Sequence, residues 1–80
     1  NPIININYDI DKPRNFSVSI VDIVGREIKN IFKNKLMNTG NFNQQWDGRN
    51  NMGELVASGV YIIRISSEQQ VLRRKITYVK

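Results

Sequence analysis

Phe16-Ser17-Val18-Ser19-Ile20-Val21-Asp22-Ile23-Val24-Gly25-Arg26-Glu27-Ile28 is the stretch whose reading decides the fold. Phe16, Val18 and Ile20 alternate with serines, so one side of an extended chain is apolar and the other polar. The alternation runs through Val21-Asp22-Ile23 and stops at Asp22–Glu27, where Gly25 supplies the positive φ of a tight turn. Ile28 to Lys33 returns as the next strand, which makes the segment a β-hairpin.

The same period recurs outward from this hairpin. Upstream, Ile4, Ile6, Tyr8 and Ile10 alternate with Asn5, Asn7 and Asp9, and Asp11–Asn15, with its Pro13, is a turn. Downstream, Asn34–Asn41 is polar apart from Leu36 and Met37 and reads as a loop that closes on Gly40. Phe42, Gln44 and Trp46 form a fourth strand. Asp47–Gly53 is a dense run of turn formers, Glu54–Ala57 a short strand, and Ser58-Gly59 a break. Val60 to Ile65 is the most apolar strand and is expected at the centre of a sheet. Ser66–Gln70 is a polar turn, and Val71–Val79 the last strand. About seven short strands with no helical period predict an all-β, immunoglobulin-like Greek-key sandwich of antiparallel strands.

The chain has 80 residues, no cysteine and no histidine, and carries a net charge of +5. A chain this short holds one domain, residues 1–80, with a single two-layer core. Disulfides, Cys- or His-based metal sites and Ser-His or Cys-His catalysis are excluded. Apolar content of 40% fits a folded soluble domain. The longest clean apolar run, Val60–Ile63, falls far short of the roughly 20 residues of a membrane span. No basic-then-apolar leader opens the sequence, so no signal peptide is visible; if the protein is exported, the export signal is expected on a part of a precursor not shown here.

Few constellations carry chemistry. Asp47, Asn50, Asn51 and Glu54 are the nearest thing to a cation loop, but their spacing misses the EF-hand pattern, and Asx side chains that close turns are the simpler account. Trp46 could stack on a sugar; in so small a domain a lone large aromatic more often plugs the core, as Phe16, Phe42 and Tyr61 are expected to do. The carboxylate pairs Asp9/Asp11 and Asp47/Glu54 lack a cleft. The serines lack a histidine base and a nucleophile-elbow motif. No enzyme, no cofactor and no metal are expected. The sharpest charge feature is Arg73-Arg74-Lys75, with Lys80 at the end. It reads either as protection of a terminal edge strand or as a handle for an acidic partner. Nucleic acid is not expected, since the aromatic motif of RNA-binding sheets is absent.

Taken in order, these elements carry a family resemblance: Asn1-Pro2 before an alternating strand; Val18–Asp22 running into Gly25-Arg26-Glu27; Gly40; Trp46-Asp47-Gly48; Gly53; Val56-Ala57-Ser58-Gly59-Val60-Tyr61; and a basic last strand ending in Lys80. The chain resembles the C-terminal sorting domain of the type IX secretion system of Bacteroidetes, type A form. The half containing Trp46-Asp47-Gly48, Gly53 and Ser58–Tyr61 is also similar to the immunoglobulin-like domain of the flagellar hook-capping protein, a structural module. A third possibility is an accessory ligand-binding sandwich, which needs an exposed Trp46.

The sorting-domain resemblance implies an address label behind an upstream cargo domain. The label would be recognised in the periplasm by the type IX translocon and shuttle components, carried through the outer membrane and removed by a sortase, leaving the cargo secreted or on the cell surface. It matches Gly25 and Arg26 to a hairpin motif, and Arg73, Arg74, Lys75 and Lys80 to a basic strand presented for recognition. An exposed terminal strand would suit β-augmentation by a receptor.

Overall fold

The computed structural model describes residues 2–80; Asn1, part of the Asn-Pro opening, lies outside the described residues. The described chain is all-β, with six strands: β1 (Ile4–Ile10), β2 (Arg14–Val21), β3 (Glu27–Met37), β4 (Gly40–Trp46), β5 (Gly59–Ser66) and β6 (Val71–Tyr78). They form two sheets: a two-stranded one, β1-β4, and a four-stranded one in the order β3-β2-β5-β6, all neighbours antiparallel.

The alternation in the sequence becomes the core. Ile6, Tyr8, Ile10 and Trp46 from the small sheet meet Phe16, Val18, Ile20, Tyr61, Ile63, Ile65, Ile76 and Tyr78 from the large one. Each such side chain removed from water contributes roughly 1.5–3 kcal/mol, which in a domain this size is the principal term against chain entropy. β5 pairs with β2 on one side and β6 on the other, the central place expected from its apolar sequence.

Two expectations change. There are six strands, not seven: Glu54–Ala57 contributes only the isolated bridge between Arg49 and Leu55. The Gly48 carbonyl instead accepts the Val56 N–H at 2.9 Å, folding this segment back onto its own turn. The loop read over Asn34–Asn41 is mostly strand, since β3 continues to Met37 and β4 starts at Gly40. Pairing with β2 shifts register between Phe16 and Val18. Opposite that shift Asn34 takes φ 50°, and its N–H donates to Ser17 Oγ at 3.0 Å. A bulge spends residues without ending pairing, which is why a polar, non-alternating run still continues a strand.

The topology gives the pair of sheets two unlike ends. One carries the start of β1, the Asp22–Arg26 turn, the loop after Trp46 and the end of β6; the other carries the turns β1–β2, β3–β4 and β5–β6. β6 pairs with β5 alone and is an edge.

Candidate functional site

The last strand is split by its pleat. Ile76 and Tyr78 are buried, so Leu72 and Arg74 share their phase toward the other sheet, while Val71, Arg73, Lys75 and Thr77 project from the outer face. Arg74 therefore does not join Arg73 and Lys75 in one surface patch. Its guanidinium crosses the seam between the sheets and donates to the Asn7 carbonyl of β1, fastening β6 to the neighbouring layer. Lys80 is exposed, and its backbone N–H donates to Ser58 Oγ at 3.1 Å.

Cross-strand register adds a cation that sequence reasoning missed. Arg64 of β5 lies directly opposite Arg73, and Lys75 lies opposite Ile62, one outward position away. Arg64, Arg73 and Lys75 therefore share the outer face. None has a carboxylate within ion-pairing distance among the described residues, where the three pairs are Asp11–Arg14, Asp22–Arg26 and Asp47–Arg49. Like charges facing each other across strands are mutually unfavourable. In the sequence, parity with Ile76 and Tyr78 was the signal that separates Arg74 from its neighbours. Arg64 gave none, because its place beside Arg73 depends on register.

Beside these cations the Asp22–Gly25 turn folds over the sheet and bounds a groove of about 460 Å³ lined by Val21, Ile23, Val24 and Ile62 together with Arg64 and Arg73. The turn is locked by one side chain. Asp22 Oδ1 accepts the N–H groups of Val24 and Arg26 at 3.0 and 2.9 Å, and Oδ2 accepts Arg26 Nε at 2.8 Å. Partial desolvation raises the Asp22 pKa, but the hydrogen bonds from Arg26 and Val24 and the Arg26 charge outweigh it and hold the carboxyl below its ordinary value. Gly25 takes φ +90° in this turn, with open space where a Cβ would stand, so the constraint there is conformational alone.

The remaining motif residues build the frame. Trp46 is 2% exposed, donates its indole N–H to the Arg49 carbonyl at 3.0 Å, and packs edge-on to Tyr61 with ring centres 5.2 Å apart. A sugar-stacking role would need that ring at the surface. Gly48 has φ +78°, and a Cβ there would overlap the Tyr78 ring; Gly53 lies in the next turn, its N–H donating to the Asn50 carbonyl at 3.0 Å. Gly59, read as part of a break, opens β5 opposite Tyr78 with no positive φ, and Gly40 opens β4 opposite Ile10.

The loop read as a possible cation site is committed to its own backbone. Asn50 Oδ1 accepts the N–H groups of Met52 and Glu54, Asp47 Oδ1 that of Arg49, and Asn51 Oδ1 that of Asn30 on β3.

Compared with known protein families, the chain matches the secretion system C-terminal sorting domain over residues 1–79. The chain belongs to this family. It is thus a C-terminal sorting signal for type IX secretion, a class of domain that directs an upstream cargo toward the cell surface or the medium through the type IX machinery. The family is a secretion-signal domain and not a known enzyme family. No curated protein and no solved structure matches the sorting domain. None of its described residues lies in a helix long and apolar enough to cross a membrane.

Proposed function

We propose that the type IX machinery reads this sorting domain at the free edge of β6, in transit through the periplasm, and that a sortase then removes it from the cargo. The observation that carries the reading is the combination on one strand of an unpaired edge and two outward cations, Arg73 and Lys75. A free edge offers backbone donors and acceptors for an added strand, and side chains on one face set its register. Arg74 and Lys80 contribute differently. Arg74 holds β6 in place through Asn7, and Lys80, two residues past β6, is itself tethered to Ser58 through its backbone N–H.

The finer fold reading, an immunoglobulin-like Greek key, belongs to the same proposal. It is supported by Tyr61, near the start of β5, whose hydroxyl donates to the Ala57 carbonyl four residues upstream at 2.7 Å. That is the geometry of a tyrosine corner, a feature of such sandwiches. The family match runs over the basic last strand as well as the half shared with hook-cap domains, which favours the sorting reading over a purely structural module.

The test is export of a reporter carrying the chain at its C-terminus in a type IX-competent cell. Arg73→Gln with Lys75→Gln should leave the reporter unexported. Lys33→Gln with Lys35→Gln removes the same charge from β3 and should leave export intact. Equal export from both variants would overturn the reading.

A further inference from the structure

Resting on the reading that β6 is the recognised edge, we propose that its partner is an acidic extended peptide strand with carboxylates two residues apart, received by Arg64, Arg73 and Lys75. The three cations sit on one face of two adjacent strands, Arg64 directly opposite Arg73 and diagonal to Lys75. Their charge is uncompensated. The nearest acids on the facing wall of the groove are Asp22, which is clasped by Arg26, and Glu27, whose Oε2 faces the Asn51 amide at 3.4 Å. A carboxylate placed beside Arg73 meets two guanidiniums at once and removes a repulsion the free domain carries.

Spacing selects a peptide over other anions. Arg73 and Lys75 are separated by two residues along a strand, roughly 6.5–7 Å, the distance between alternate side chains of any strand paired beside them. An added strand would also use the unpaired backbone of β6, which a phosphate or a lipid headgroup cannot. Arg74 lies on the inward phase, reaches across the seam to Asn7, and takes no direct part.

The assignment is tested by titrating the isotope-labelled 80-residue chain with a short synthetic peptide that alternates glutamate with threonine and valine. Amide shifts should concentrate on β5 and β6. Affinity should fall at least about tenfold in Arg64→Gln with Arg73→Gln, a change of the size expected for a desolvated charge contact, and should weaken with salt. Lys33→Gln with Lys35→Gln, on β3, should stay within about twofold of the parent, a change too small to count as a lost contact. No binding, equal binding by a glutamine-for-glutamate peptide, or shifts confined to β1 and β4 would overturn the acidic-strand assignment. So would equal, Arg64- and Arg73-dependent binding of inorganic phosphate or phosphatidylglycerol vesicles. The underlying reading fails separately, when the charge-matched variants of the export assay behave alike whatever the peptide does.

Discussion

The outer faces of the two sheets solve opposite problems. On β1-β4 every outward rung is self-satisfied: Asn41 donates to Asp9 at 2.8 Å, Asn43 to Asn7 at 2.9 Å, and Gln45 to Asn5 at 3.1 Å. Each bond joins residues directly opposite in register, so side-chain amides repeat the backbone ladder one layer out. On β5-β6 the corresponding positions hold Arg64, Arg73 and Lys75, which are left without acidic partners. One face uses its polar groups to hold a sheet of only two strands together, and such a sheet is marginal without help. The other keeps its polar groups free, which costs stability and makes sense only when something else receives them.

The largest expected effect breaks both faces together. Gly48→Ala pushes a methyl group into the Tyr78 ring, where the loop after β4 meets the end of β6, at a backbone angle L-residues resist. Overpacking and strain combined should cost about 3 kcal/mol or more, read as a large drop in Tm.

The next prediction separates the faces. Asn43→Ala removes the middle amide rung and should cost about 0.5–1 kcal/mol, the usual net value of one such hydrogen bond. Arg64→Gln, on the opposite face, should leave stability unchanged or raise it by a few tenths of a kcal/mol, because it relieves a like-charge pair. Chemical denaturation of the two variants side by side measures the difference.

The smallest effect concerns the turn that bounds the cationic groove. Asp22 is held below its ordinary value of 3.8 by Arg26 and Val24. A depressed carboxyl contributes its stability above the unfolded pKa and loses it as pH falls through the folded one. Acidification below about pH 4 should therefore destabilise the parent more than Asp22→Asn, in denaturation curves taken across that window.

The contrast between the faces also shows what the sequence could reveal. Strands β1 and β2 alternate cleanly, and their buried residues are the ones the period marks. β3 does not alternate, because three register irregularities against β2 break its phase, and its far half reads as loop. The Glu54–Ala57 segment has strand-like residues but no neighbour beyond its own turn. For the candidate site, the basic run and its terminal strand were legible, and the parity of Arg74 with buried Ile76 and Tyr78 was legible too once the inward phase was fixed. Arg64 was not, since β5 is apolar on both phases and only pairing register brings it beside Arg73.

The central claim is that the cationic face serves recognition and the amide face serves stability. Measuring Tm and reporter export together, for Asn43→Ala and for Arg73→Gln with Lys75→Gln, tests it most directly. The account predicts that the amide variant melts lower yet exports at a temperature where it is folded, while the charge variant melts like the parent and is not exported. A charge variant that keeps its Tm and exports as well as the parent would contradict it.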